Sequence, residues 1–176
     1  MAQLRAVRPD LALESVRGNL DTRLRKLAAG QYSALVLAAA GLTRLGWADR
    51  IAEYLSPEVM CPAVGQGALA IETRGQGRAL EVCSRLEDAG TRLAVDAERA
   101  VLASLGGGCQ VPIGAHARVR DGWLDLDAIV AAPDGSRIIR RSARGPSTGA
   151  VLLGREVGEA LLGAGAREIL EEVYGA

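Results

Sequence analysis

The chemistry of this chain gathers on one thiol. Cys109 stands behind three glycines in the segment Leu105-Gly106-Gly107-Gly108-Cys109-Gln110-Val111-Pro112-Ile113-Gly114. Glycines remove side-chain bulk, so a large group could approach the sulfur closely, and Pro112 stiffens the exit. A cysteine that only fills a core needs no such empty space; this layout suits a sulfur on which something is built. Cys61 and Cys83 have no motif around them and read as small buried or half-buried thiols. With His116 they do not make a zinc-ligand spacing, so no metal is expected. His116 reads as a structural or surface histidine, and Trp47 and Trp123 as packing residues.

Three arginines form the second chemical grouping. Arg17 follows an alternating apolar stretch and precedes Gly18-Asn19 and a helix start; Arg44 lies shortly after a second apolar run. Arg23, in the second turn of the intervening helix, could reach back toward that helix's beginning. Open α/β sheets bind ligands beyond the carboxyl ends of their strands, and helix N-termini offer anions backbone donors and a favourable field. Guanidinium groups placed there suit carboxylates, which arginine binds bidentately. Solvated surface arginines are the alternative reading. Gly65-Gln66-Gly67 is no nucleotide signature, because G-x-G-x-x-G is incomplete.

The elements that would position these groups can be read from periodicity and punctuation. Residues 2–8 look like the tail of a helix closed by Pro9. Leu11 to Val16 alternates and Ser33 to Ala40 is continuously apolar; both are expected as strands, flanking a helix that Asn19 caps and Gly30 ends. Strand, helix and buried strand predict a βαβ unit in a parallel sheet. Gly41 to Leu45 is expected as a short helix. Residues 56–67 carry Ser56-Pro57, Pro62 and Val64-Gly65-Gln66-Gly67 and read as a crossover or hinge, followed by a strand over 68–73 and a helix over 79–86. Thr91 is expected to cap a helix to Leu105. Three strands follow, at 113–120, 123–132 and 136–144, joined by the hairpin signals Asp121-Gly122 and Asp134-Gly135. A helix from Ser147 or Thr148 to about Leu162, interruptions at Gly163 and Gly165, and a last helix over 166–174 complete the chain.

Composition narrows the field. The 176 residues have formal net charge zero, with 21 basic and 21 acidic side chains, which argues against nucleic acid held by bulk electrostatics. Aromatics are 3% and Phe is absent, too few for base-stacking platforms. Three cysteines are too sparse for a disulfide framework and favour a reducing compartment. No stretch has the length of a membrane span and the N-terminus lacks a signal-peptide core, so a cytoplasmic protein with no membrane partner is expected.

The segments VRGNLDTRLRKL (16–27), LAAAGLTRLG (37–46), PAVGQGALAIE (62–72), DAERAVLASLGGGCQVPIGA (96–115), APDGS (132–136) and GAREILEEVY (165–174) resemble hydroxymethylbilane synthase, also called porphobilinogen deaminase. They run in order across essentially the whole chain. The resemblance implies a transferase that joins four molecules of porphobilinogen head to tail, losing ammonia each time, to give linear hydroxymethylbilane for haem and related tetrapyrroles. It implies a dipyrromethane cofactor held by a thioether to Cys109, with Gly108 leaving room beside it. Arg17, Arg23 and Arg44, together with Gly18, match positions that bind the acetate and propionate groups of cofactor and substrate.

The same resemblance sets expectations for architecture. Family members have two α/β domains like the lobes of periplasmic binding proteins, then a small α+β domain with a three-stranded antiparallel sheet and helices on one face. Here residues 1–62 are expected to be the remainder of the second domain, with a parallel or mixed sheet. Residues 63–87 are the hinge and crossover toward the first domain, and 88–176 the C-terminal domain with the cofactor cysteine. The chain is expected to be an N-terminal truncation that lacks the family's catalytic aspartate, so no residue takes that role and the chain alone is expected to be inactive. Asp21, Asp96 and Glu98 read as capping or solvated carboxylates. Family enzymes are monomeric; surface left bare by truncation is expected to favour self-association. The competing reading is a non-catalytic carboxylate-binding or regulatory α/β module, which would need no thiol in an open glycine turn.

Overall fold

The computed structural model describes residues 1–106 and 112–174. The chain divides into two compact units, Met1–Pro9 with Ser56–Ala176, and Asp10–Leu55.

The larger unit is organised by a meander. Strands β1 (Ile113–Arg120), β2 (Trp123–Ala131) and β3 (Ile138–Pro146) form an antiparallel sheet in the order β1-β2-β3. Asp121 and Gly122 both take positive φ (51° and 77°), the twist a two-residue hairpin requires, and this sets Arg120 opposite Trp123. At the other turn, the Asp134 carboxylate accepts from the Ser136 backbone N–H at 3.0 Å and its hydroxyl at 2.7 Å. The third strand begins at Ile138 rather than Ser136, because residues 133–136 are consumed by that turn. On β2, Leu124, Leu126, Ala128 and Val130 alternate into the core, where helices α5 (Ala89–Ser104), α6 (Ala150–Leu161) and α7 (Arg167–Tyr174) contribute Val101, Val157, Leu161, Ile169 and Leu170.

Helix α5 is capped by Asp88, whose Oδ1 accepts the Thr91 N–H at 2.7 Å. The expected cap at Thr91 is therefore three residues late, with Thr91 supplying the N3 donor. Helices α5 and α6 touch through small residues. A Cβ on Gly154 would collide with the Ala97 carbonyl oxygen, and one on Gly158 would lie 2.6 Å from Ser104 Cβ. Residue numbers rise together along the contact, so the two helices run in the same direction. Gly165 sits at φ 95°, turning the chain between α6 and α7, where the sequence placed an interruption.

Helix α1 (Ala2–Val7) stops before Pro9, which disfavours helical geometry at Arg8. The Gln3 side chain pairs with both backbone groups of Cys61, accepting its N–H and donating to its carbonyl, each at 2.8 Å. Arg5 Nη1 donates to the Pro133 carbonyl at 2.7 Å. These bonds tie α1 to Cys61 and to the turn between β2 and β3. Residues 68–77 carry neither helix nor strand, with Leu69 and Ile71 exposed, before α4 (Arg78–Cys83) and a 3-10 turn at Ser84–Leu86.

The smaller unit holds α2 (Leu20–Ala28), α3 (Ala39–Arg44) and a 3-10 turn at Ala48–Arg50. Asn19 occupies the N-cap of α2, with no hydrogen bond from its side chain to the helix. Gly30 (φ 72°) and Gln31 close the helix, their N–H groups donating to Leu27 and Lys26 carbonyls at 2.9 and 3.1 Å. The strands expected at 11–16, 33–40 and 68–73 are not formed. An extended segment becomes a strand only through a laterally paired neighbour, and among the described residues the one sheet is β1-β2-β3. Leu11 and Val36 accordingly remain exposed.

Candidate functional site

The arginine end of residues 10–55 is built around Gly18. Its φ of 118° suits glycine, and a Cβ there would lie 3.0 Å from Thr22 Cγ2. The chain can thus turn sharply into α2 with the Arg17 and Gly18 carbonyls facing back along the helix. Arg23 Nε donates to the Gly18 carbonyl at 2.8 Å and Lys26 Nζ lies 3.5 Å from that of Arg17. The reach of Arg23 toward the helix beginning is thus as the sequence suggested. A guanidinium has five N–H donors, so this bond leaves capacity for a carboxylate. Asp21, in the first turn of α2, pairs with Arg25 at 3.1 Å, both largely exposed. Arg17 is exposed next to the turn, and Arg44 is exposed at the end of α3.

Cys109 and Gly108 lie outside the described residues, so their geometry is not part of the fold above. The flanks are defined. Leu105 is buried and its N–H donates to Val101 at the end of α5, while Gly106 follows at φ 63°. On the far side the Pro112 carbonyl accepts from Ala131 N–H at 3.0 Å, pinning the start of β1 to the end of β2.

Sequence reasoning missed Glu98. It is buried, 6% exposed, rather than on a solvated helix face. Oε2 accepts the Gly65 N–H at 2.7 Å and Oε1 accepts the Ala117 N–H at 2.8 Å. Burial raises its pKa above the usual carboxylate value, and the two N–H groups partly oppose that rise. The signal was in the spacing: Ala94, Glu98, Val101 and Leu105 fall on one helical stripe, so a charge there faces inward. His116 is half-buried, with Nδ1 4.0 Å from Glu98 Oε1 and Nε2 accepting from Arg118 Nε at 2.9 Å. Burial, then the Arg118 charge, lowers its pKa.

The remaining singled-out side chains differ in burial. Cys61 is 2% exposed, and burial pushes its thiol up to about 12. Cys83 is partly exposed, and Gln66 is exposed in the 64–67 turn. Trp123 departs from the packing role expected of it: it is 46% exposed, with the Arg144 guanidinium 5.4 Å from its ring centre. Trp47 carries Arg50 at 5.0 Å. Among the described residues no group of three or more His, Cys, Asp or Glu could hold a metal ion, and no helix is long and apolar enough to cross a membrane.

Two family models match the chain: "Porphobilinogen deaminase, dipyromethane cofactor binding domain" over residues 1–81, and "Porphobilinogen deaminase, C-terminal domain" over residues 92–163. A porphobilinogen deaminase of Syntrophobacter fumaroxidans is 49% identical over 174 residues, which is 98% of this chain and 56% of that protein. One of Desulforamulus reducens is 48% identical over 173 residues, again 98% of this chain and 56% of its own length. The chain therefore spans little more than half the length of these curated relatives.

Proposed function

We propose, for a chain that belongs to the porphobilinogen deaminase family, that it forms the cofactor-carrying part of a hydroxymethylbilane synthase. The reaction is the stepwise deaminating condensation of four porphobilinogen molecules into linear hydroxymethylbilane in tetrapyrrole synthesis. The observation that carries this reading is the 49% identity sustained over 98% of the chain, with the glycine-flanked Cys109 inside it.

The residues present fit the group that the family name implies. A dipyrromethane needs a thiol for its thioether and cations for its carboxylates; Cys109 would supply the first, and Arg17, Arg23 and Arg44 the second. Arg23, already turned back onto Gly18, is oriented to serve the turn where a carboxylate would meet the first N–H groups of α2. Gly18 keeps the approach open and Gly108 leaves space beside the sulfur. When bound, the cofactor supplies the primer from which the pyrrole chain grows. The protein's part is to hold it covalently, clamp the carboxylates of each added unit and keep the loop ends fixed through Leu105 and Pro112.

Residues 1–62 are read as the remainder of a lobe like those of periplasmic binding proteins. The exposed Leu11, Val36 and Leu45 support a partner surface there. Residues 63–87 are the crossover and 88–176 the C-terminal domain. We place the protein in the cytoplasm, acting on porphobilinogen without nucleic acid or membrane. In this reading no described carboxylate is assigned to proton transfer, and the exposed apolar surface favours self-association.

Intact mass of the purified chain and of Cys109→Ala tests the assignment. An added dipyrromethane mass that disappears in the variant is expected. If the chain alone stays unmodified, the same pair is made in a chimera that restores the remaining length from the Syntrophobacter fumaroxidans relative. An adduct retained in Cys109→Ala, or a chimera without adduct that binds carboxylates reversibly, would favour the binding-module reading instead.

A further inference from the structure

We propose that the arginines of β3 close the free edge of the sheet against a second copy of this chain. The alternation of hydrogen bonds shows what each outer edge offers. On β1, the Ala131 N–H donates to the Pro112 carbonyl, so even-numbered residues bond to β2 and the main-chain groups of 113, 115, 117 and 119 face away from it. Two of those N–H groups are already taken, Ala115 by the Pro62 carbonyl and Ala117 by Glu98. On β3, the Ala132 N–H donates to the Arg137 carbonyl and the Ser147 N–H to the Gly122 carbonyl. Odd-numbered residues therefore bond to β2, and the main-chain groups of Ile138, Arg140, Ser142 and Arg144 point outward. Among the described residues no main-chain group meets them.

An open edge of this kind invites pairing with another chain. Here it is lined with Arg137, Arg140, Arg141 and Arg144, and from Gly135 to Arg155 the chain carries no acidic residue. One block is direct: Arg141 Nη1 donates to the Arg140 carbonyl at 2.7 Å, so an outward acceptor is already filled. The other lies in the register. Two copies that pair β3 with β3 antiparallel do so about a two-fold axis, and the residue on the axis fixes every opposite pair. With the axis at Ile139, Arg137 stands opposite Arg141; at Arg140 or Arg141, that arginine faces its own copy; at Ser142, Arg140 faces Arg144. Like charges directly opposite one another destabilise a strand pair. With the axis at Ala143, Pro146 falls opposite Arg140 and has no N–H to give to the ladder.

Arg141 carries most of this effect. Arg137 lies 3.7 Å from the Glu168 carboxylate and Arg144 lies 3.5 Å from that of Asp125. Arg141 is exposed and has no acidic partner among the described residues, so its charge is unrelieved. The proposal does not rest on the cofactor reading. It also separates this edge from the exposed apolar surface, because association through Leu69 or Leu86 would leave the outward amides of β3 unpaired.

Sedimentation velocity across a concentration series, with residue-resolved amide exchange by NMR, tests it on the intact chain as parent, Arg141→Thr, Arg141→Lys and Arg155→Thr. Threonine favours strands without adding a large apolar side chain. In the parent, the amides of Arg140, Ser142 and Arg144 should exchange freely at every concentration, whatever other surface brings copies together. Arg141→Thr should raise the association constant about tenfold and protect those amides as concentration rises. Arg141→Lys, which keeps the charge, and Arg155→Thr, which removes an arginine from α6, should behave as the parent. Protection of these amides in the parent that grows with concentration would overturn the proposal. So would Arg141→Thr with no gain in association or protection, or an equal gain in Arg141→Lys or Arg155→Thr.

Discussion

Assignment of the cofactor to Cys109 requires that the other thiols stay silent, and the fold makes a sharp statement about one of them. Cys61 is 2% exposed, its Sγ 3.9 Å from the Asp127 carbonyl, and burial pushes its pKa from 9.0 to about 12. Alkylation needs the thiolate. At about pH 8 a thiol of pKa 9.0 is roughly one-tenth ionised, and one of pKa about 12 is roughly one part in ten thousand ionised. Iodoacetamide should therefore label Cys61 about a thousandfold more slowly in the native chain than in guanidinium. Its rate should keep climbing with pH well above 9. Peptide mass spectrometry reads each cysteine separately, with the partly exposed Cys83 as internal reference. A native rate for Cys61 within tenfold of the unfolded rate would refute the packing of segment 61–65 over Gly114. The linkage has a definite sign: a thiol whose folded pKa is raised stabilises the fold fully below pH 9 and loses that contribution as pH climbs toward 12. Three units at about 1.4 kcal/mol each set an upper bound of about 4 kcal/mol, so Cys61→Ala should flatten the alkaline limb of the stability profile.

Two other positions offer equally direct tests. Gly154→Ala would gain up to about 1 kcal/mol of helix propensity but drive a methyl into the Ala97 carbonyl. Overpacking of this kind costs about 1–3 kcal/mol, so a net loss is expected by urea unfolding. Gly163→Ala, where a Cβ meets nothing within 4 Å, should show no such loss, and equal effects at the two sites would reject the close crossing of α5 and α6. His116 is the chain's single histidine, so its titration can be followed by NMR without ambiguity. Burial and Arg118 should hold it below the usual 6.5. A histidine lowered in the fold contributes stability above pH 6.5 and loses it as pH falls through the folded value; titration at or above 6.5 would contradict its half-buried place beside Arg118.

What the sequence could and could not reveal follows from where each signal resides. The hairpin turns were legible because Asp-Gly pairs favour positive φ, which Asp121, Gly122 and Gly135 take, and β2 follows from alternation between them. The reach of Arg23 was legible because helical geometry alone brings it toward Gly18. The cap of α5 was misplaced because Asp88 and Thr91 are both capping residues, three apart, and only the observed bond from Thr91 N–H to Asp88 Oδ1 decides between them. The apolar stretches at 11–16 and 33–40 misled for another reason. Apolar patterning reports which residues seek a neighbour, whereas a strand exists only where a neighbour pairs with it. Glu98 fails in the opposite direction. Composition treats a glutamate as solvent-facing, which is the right prior, but its position on the stripe of Ala94, Val101 and Leu105 outweighs its identity. A charged residue at an inward helical position has to find donors, and the donors it finds here, Gly65 and Ala117, lie 33 and 19 residues away. That distance makes the contact invisible to local reading, and it is also what allows one side chain to join a turn and a sheet edge far apart in the chain.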